Sequence, residues 1–347
     1  MTNLSVTAWL RISIVIVTLY CLNQITSIYL PIVLAIILSF ILNPLVGLLQ
    51  RIKIRPLKNG LSRAPAILVT FFLAFSMLGL TITFILLPFV EEFNLLISNL
   101  PNYKEKIKNI SIMLGSTAHS QYIPENIRGV FDQALSEATA FSVNLAKRML
   151  NAILAFASQI VELVVVPVLT YYLLKDWEVL RDDFISLVSE PYRPKIRQII
   201  REMAAVVSGY IRGQVVVSVI IGLMVFSGTY IFGIDYPLVL GLLATLTETI
   251  PIIGPIVGAA PAVLLAYIIS PALAIKVMLF YVFVQQLENH IIVPKVMGHS
   301  IDLHPIAIII SLLIGGHLFG LAGMILAVPT AALLKVLIKH IWYYGER

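Results

Sequence analysis

Two apolar stretches, each broken in its middle by glycine and proline, constrain this chain more than any other feature. One runs YPLVLGLLATLTETIPIIGPIVGAAPAVLLAYI from Tyr236 to Ile268; the other runs HPIAIIISLLIGGHLFGLAGMILAVPTAALLKVL from His304 to Leu337. A straight helix of about 33 residues would be roughly 50 Å long, well beyond the roughly 30 Å hydrocarbon core of a bilayer. Two full crossings need about 40 residues, so neither stretch is long enough to span twice. A bent or re-entrant segment fits the length. Unwound backbone at membrane depth persists only where protein or a water-filled cavity satisfies its N–H and C=O groups. Paired broken segments of this kind are the strongest sequence pointer to a transporter's binding site.

Composition places the whole chain in a membrane. Of 347 residues, 59% are hydrophobic and only 12% charged, with a mean hydropathy of +0.96; a soluble domain carries about 25% charged residues. The single cysteine, Cys21, permits no intrachain disulfide and sits in an apolar run. The net charge of +6 and pI near 9.3 could suggest nucleic acid. The positive residues, however, concentrate in loops that flank apolar segments, and no basic stripe with interleaved aromatics is present, so nucleic-acid binding is set aside.

Apolar runs predict crossings at about 9–28, 30–49, 64–88, 152–174, 207–232 and 272–290. The fold class is therefore an all-α polytopic membrane protein. It has about six full transmembrane helices plus two Gly/Pro-broken helical hairpins, or eight spans if the broken segments are kinked crossings. The first run has no small-residue cleavage site after it and reads as a retained helix. RIKIRPLKNGLSR, from Arg51 to Arg63, is rich in Lys and Arg and has no acid, which predicts a cytoplasmic loop and a cytoplasmic N-terminus. Residues 89–150, balanced in charge and carrying apolar residues at helical spacing (Ile107, Ile110, Met113, Leu114), then form a helical module on the far side. Lys175 to Glu202 is predicted to lie on the inner face as an amphipathic helix turning at Pro191 and Pro194. Both the hairpin and the kinked-span readings return the C-terminus to the cytoplasm. Four parts follow: N-terminal transmembrane helices (1–88), the extracytoplasmic module (89–150), a span with the amphipathic segment (151–206), and a transport core (207–347).

The two broken stretches resemble each other. Ile234-Asp235 precedes one and Ile301-Asp302 the other, and the spacing from Pro237 to Pro261 equals that from Pro305 to Pro329. As hairpins they would enter from opposite faces, the geometry of an inverted-topology repeat, with the site at the midplane between them.

Polar groups in hydrocarbon cost a few kcal/mol each, so their positions carry information. Thr245, Thr247, Glu248 and Thr249 lie immediately before the IPIIGP break, and Gln285, Gln286, Glu288, Asn289 and His290 cluster near the end of the 272–290 span. A carboxylate beside freed helix-end groups can bind protons or cations; it can equally tie a hairpin together. Amides can coordinate a hydroxylated solute or bridge helices. The candidate substrate or ion pathway is Glu248, Gln214, Gln285, Glu288, Asn289 and Thr249. The candidate gates are the breaks themselves: Pro251, Gly254, Pro255 and Gly258 in the first stretch, and Gly315, Gly316, Gly320, Gly323 and Pro329 in the second. Arg212 is expected to snorkel to the interface and His317 to hold a helix end. No GxxxxGK[ST], HExxH or CxxC occurs, and His290, His299 and His304 are not spaced as ligands. No catalytic residue, metal site or cofactor is assigned, and the chain is not read as an enzyme.

These residues also carry a resemblance. The chain resembles the autoinducer-2 exporter family of bacterial inner-membrane permeases, most closely its PerM-type branch. The matching elements are VPVLTYYLLKDWE (Val166 to Glu178), YIRGQ (Tyr210 to Gln214), ETIPIIGPIVGAAPA (Glu248 to Ala262), QQLENHIIVPKVMG (Gln285 to Gly298) and the stretch from Leu303 to Leu337. Ile252 departs from the pattern, since many relatives are expected to carry an aromatic there. The resemblance implies a multi-pass exporter of a small hydroxylated signalling molecule in the bacterial inner membrane, assembled as a homo-oligomer, with a pentamer expected. It also implies that some relatives exchange monovalent cations for protons.

The leading reading is thus a secondary transporter that exports a small hydroxylated solute; no ATP-binding motif is present, so its flow is either coupled to an ion gradient, H+ or Na+, or facilitated. A monovalent cation/proton antiporter is the alternative within transport. A non-transporting membrane scaffold, whose extracytoplasmic helices recruit a partner, is the alternative from another class.

Overall fold

Proline and glycine placement sets where each helix begins and turns. In the computed structural model, residues 29–52, 61–116, 164–298 and 303–342 are described, with the isolated residues Ser13, Gln133, Glu137, Ala140, Asn144 and Lys147. The predicted 9–28 span, residues 152–163 of the fourth span, most of 117–150 and the centre of the Arg51–Arg63 loop lie outside the described residues. Every regular element among the described residues is helical. In chain order they are α1 (Tyr29–Arg51), α2 (Arg63–Thr81), α3 (Leu87–Ser116), α4 (Val165–Ser186), α5 (Arg193–Ile231), α6 (Pro237–Thr247), α7 (Ile253–Ile269), α8 (Pro271–Leu287), α9 (Val293–Met297) and α10 (Pro305–Trp342). Single π-helical turns at Ile82–Leu86 and Glu288–Ile292 join α2 to α3 and α8 to α9.

The chain divides into two compact units, residues 1–71 with 155–187 and residues 72–154 with 188–347. In the first, α1 packs on α4. The fully buried Thr170 bonds the carbonyl of Val166 on its own helix and that of Ala35 across the interface, while the Arg63 Nε donates to the Leu174 carbonyl at 2.7 Å.

The second unit holds both broken stretches, and each folds back on itself. Helices α6 and α7 form hairpin 1. A Cβ on Gly254 would collide with the Thr247 carbonyl, and one on Gly258 would press on Thr247 Oγ1 and Ala244, so the limbs meet antiparallel at backbone contact. The reversal passes through Ile252 at φ 70°, ψ −50°, and the Ile253 N–H reaches the Pro251 carbonyl at 2.8 Å, which makes a γ-turn. The second stretch bends at Phe319 and at Gly320, whose φ of 60° and ψ of −138° suit glycine. Gly315 and Gly323 then touch so closely that a Cβ on either would strike the other's carbonyl. In a straight helix they would be about 12 Å apart. Hairpin 2 is therefore limb 305–318 and limb 321–342.

Helix α5 orders both hairpins. Its 39 residues extend about 58 Å, because Pro194 stands in the first turn, where a missing N–H costs nothing. The Lys175–Glu202 segment forms the end of α4 and the start of α5, joined by a 3-10 turn at Glu190–Tyr192 beside the two prolines. Hairpin 1 follows the C-terminal end of α5 after a turn at Gly233 (φ 66°), and α6 runs back along α5 with Gly222 against Gly241 and Thr245. Limb 321–342 ends beside the opposite terminus, where Lys195 Nζ donates to the His340 carbonyl and the His340 ring lies 3.6 Å from Glu202. Hairpin 1 thus begins at one end of α5, and limb 321–342 ends at the other. Ser270 caps α8 by accepting the Leu273 N–H at 3.1 Å, and Pro271 occupies its first turn.

Among the described residues, five helical runs are long and apolar enough to cross a membrane: Tyr29–Arg51, Arg63–Asn99, Glu190–Ile231, Pro271–Met297 and Pro305–Trp342. The last is the folded hairpin 2. At 11 residues, about 16 Å, α6 is too short to cross alone. Outward-facing Phe72, Met77 and Phe84 are each at least 70% exposed, an arrangement that suits lipid rather than water.

Candidate functional site

Hairpin 1 carries Glu248 at the C-terminal end of α6, where it is 2% exposed. Facing it is Glu288, 8% exposed, in the first position of the π-helical turn after α8. Both carboxyl groups line the same small cavity. The Gln285 Nε2 donates to Glu288 Oε2 at 2.9 Å, and the Gln214 Nε2 of α5 donates to the Glu248 backbone carbonyl at 2.6 Å. Glu248 and Glu288 are lodged in a cavity of about 10 Å³, close to the room one water molecule needs. Its walls include Ile221 of α5, Thr247, Pro255 and Gly258 of hairpin 1, and Tyr281 of α8.

Local rules explain each placement. The α6 helix ends at Glu248 because Pro251 denies the next turn its donor, so Glu248 sits where the helix stops. Thr247 returns its hydroxyl to the Leu243 carbonyl at 2.9 Å and Thr249 to the Leu246 carbonyl at 2.7 Å, which satisfies both without solute. Tyr281, Gln285 and Glu288 recur at helical spacing and share one face, and the Tyr281 hydroxyl reaches the Gly258 carbonyl at 3.4 Å. Sequence reading passed over Tyr281, although its spacing of four and seven from the two polar residues was visible. It also passed over Glu92 of α3, whose carboxylate accepts the Leu238 and Val239 N–H groups at the start of hairpin 1, because it lies far away in sequence and has no local signal.

Of the candidate residues, Glu248, Glu288, Gln285, Pro255 and Gly258 line the cavity, and Gln214 is joined to it through Glu248. Pro251 and Gly254 build the reversal beneath it. Asn289 is exposed and, like Thr249, is not on the cavity wall. The hairpin 2 positions Gly315, Gly316, Gly320, Gly323 and Pro329 shape that hairpin but do not line this cavity. The carboxyl pair therefore belongs to hairpin 1, α5 and α8 rather than to a space between the two hairpins. Arg212 donates to the backbone and hydroxyl oxygens of Ser208 on its own helix. No cluster of three or more His, Cys, Asp and Glu side chains suited to a metal ion occurs among the described residues.

Helical hairpins folded within a multi-pass bundle, with a buried acidic pair at the break of one of them, define a membrane transport protein. Residues 12–342 match the AI-2E family transporter profile, and the chain belongs to that family. Among its relatives, YrrI of Bacillus subtilis, named as a transport protein, is 29% identical over 316 residues, covering 91% of this chain and 87% of that protein. PerM of Escherichia coli, named as a permease, is 28% identical over 321 residues, covering 91% and 88%. A sodium-lithium/proton antiporter of Halobacillus andaensis is 26% identical over 306 residues, covering 85% of each.

Proposed function

We propose that this chain is a secondary transporter in which the Glu248–Glu288 pair is the coupling site and hairpin 1 its gate. The observation that carries the reading is two buried carboxyls lining one cavity, with no Lys, Arg or His among the described residues of its wall. Two unit charges about 4 Å apart repel by about 4 kcal/mol at an effective dielectric of about 20. The site is therefore stable with a shared proton or with a bound cation, and empty of both it is strained. Exchange of one for the other is the elementary act of proton coupling. Burial by hairpin 1 means that exchange requires the hairpin to move.

The resemblance read from the motifs supports a small hydroxylated solute as the exported cargo. Monovalent cation/proton antiport is the second reading. It is favoured by the acidic pair, which suits a cation better than a neutral solute, and by the name of the Halobacillus relative. The basic Arg51–Arg63 loop supports a bacterial inner-membrane orientation with both termini in the cytoplasm. The homo-oligomer, expected as a pentamer, rests on the family resemblance.

Proteoliposomes loaded with sodium or with a labelled hydroxylated solute, with and without a pH gradient, test these readings. Flux of either that responds to the gradient supports coupled transport and identifies the cargo. No flux of any kind would leave the scaffold reading standing in its place.

A further inference from the structure

His340 closes a set of contacts at the end of hairpin 2 that the acidic pair does not use. It stands in the last turn of α10, where backbone carbonyls have no helical partner. Lys195 Nζ donates to the His340 carbonyl at 3.1 Å, as lysines near helix C-termini do. The His340 ring also meets α5, with Nε2 3.6 Å from Glu202 Oε1, and its side chain is only 12% exposed. Gln198 Nε2 donates to that same Glu202 oxygen at 3.0 Å. Lys195, Gln198 and Glu202 recur at helical spacing, so all three share one face of the start of α5.

The other ring nitrogen decides what the contact with Glu202 can be. Nδ1 lies 3.0 Å from the Val336 carbonyl, one helical turn back. A carbonyl only accepts, so Nδ1 carries the hydrogen and the tautomer follows from its partner. In the neutral ring Nε2 is then a bare lone pair, and it faces a carboxylate oxygen that is likewise an acceptor. Nothing attractive joins the two in that state. A second proton makes Nε2 a donor and the ring a cation, and the same geometry becomes an ion pair. Imidazole is the side chain that ordinarily takes up this proton between about pH 5 and 8.

We propose that His340 and Glu202 form a proton-operated clasp that fastens limb 321–342 of hairpin 2 to α5. Protonation engages it. Loss of the proton releases the ring but leaves the Lys195 contact, which holds main chain, in place. With the C-terminus in the cytoplasm, as proposed above, the clasp answers to internal pH and tightens as the cell interior acidifies. It is separate from the Glu248–Glu288 cavity, whose wall includes no residue of α10 among the described residues. Around the ring, α5 brings Glu202 and Lys195, with Arg197 and Arg201 exposed on the same helix, and α10 itself carries Lys335 and Lys339, both exposed. Lys195 opposes a charged ring, whereas the Glu202 carboxylate, placed against Nε2, favours one.

Stability measured against pH tests the clasp without reference to transport. Thermal unfolding of the detergent-solubilised protein is followed from about pH 5.5 to about pH 8.5, the range that brackets imidazole titration. Other groups titrate too, so the readout is the Tm of the unaltered protein minus that of His340→Gln at each pH. The difference is expected to be about 2–4 °C at the acid end and to fall below about 1 °C at the alkaline end. The sign follows from linkage: a proton held more tightly by the folded chain stabilises it where that proton is bound, and the gain is lost as pH rises. Glu202→Gln is expected to abolish the same increment, and the double variant to lose it once rather than twice. A difference that is constant across the range, or that persists in the Glu202→Gln background, overturns the clasp. Hydrogen exchange locates the effect: after correction for intrinsic rates, amides of residues 336–342 are expected to open about fivefold faster at the alkaline end in the unaltered protein, and at one rate in His340→Gln. Opening that ignores pH in the unaltered protein also overturns it. Neither readout involves flux, so the clasp and the reading of the acidic pair stand or fall separately.

Discussion

Glu92 and Leu238, 146 residues apart in sequence, are joined by a 3.1 Å hydrogen bond from the Leu238 backbone N–H to the Glu92 carboxylate. The same Oε2 accepts the Val239 N–H at 3.2 Å, so α3 caps the first turn of hairpin 1. Nearby, Asn99 donates to the hydroxyl of Tyr236, whose φ is 61°, and Phe89, Phe93 and Val239 pack together. A negative charge at a helix N-terminus satisfies orphan donors and opposes the helix dipole. The root of hairpin 1 is thereby tied to the start of the 89–150 segment.

Removing that cap is expected to loosen hairpin 1 at its root. Glu92→Ala should destabilise the protein by about 1 kcal/mol and lower Tm by a few degrees. Glu92→Gln, which keeps an acceptor oxygen, should recover part of the loss. Thermal unfolding of the detergent-solubilised protein measures both, and an unchanged Tm in Glu92→Ala would remove the cap from the account.

The acidic pair should behave as one unit. Glu248→Gln and Glu288→Gln each keep the shape and a hydrogen bond but remove titration. Either variant is expected to fold, to lose the pH dependence of transport, and to keep at most slow downhill exchange. If the two carboxyls share one proton or cation as proposed, the double variant should be little worse than either single one. Additive losses, read from flux across a series of pH gradients, would mean that the two residues act separately.

Glycines in hairpin 2 should separate into two kinds. A Cβ on Gly323 or Gly315 meets a backbone carbonyl, which cannot yield, whereas one on Gly316 lies 3.1 Å from the flexible Met324 side chain. Gly323→Ala is expected to insert in the membrane yet cost about 1–3 kcal/mol and lose most flux, while Gly316→Ala keeps it. Equal flux in the two variants would show that the limbs need not meet.

Orientation is open to direct chemical test. In the Cys21→Ala background, a cysteine at Lys58 is expected to resist an impermeant thiol reagent in intact cells, and one at Lys106 to react. The reverse pattern would invert the topology.

Much of this protein is written in local rules. Long apolar runs specify membrane helices, prolines at 194, 237, 271 and 305 mark where helices start, and the IPIIGP and GGHLFG breaks mark where two of them are interrupted. Those outcomes depend on residues within a few turns of one another, so the sequence alone determines them. It also places Glu248 beside a break, because the helix must end before Pro251. Tertiary packing decided the rest. Glu248 meets Glu288 across 40 positions only because α6, α7 and α8 fold against α5. Glu92 reaches Leu238 only because α3 lies at the hairpin root. The same packing left Asn289 exposed one residue beyond a buried Glu288, since each helical step turns a side chain by about 100°. Hydropathy says that a carboxylate in a membrane must face something other than lipid; only the assembled helices determine what that is.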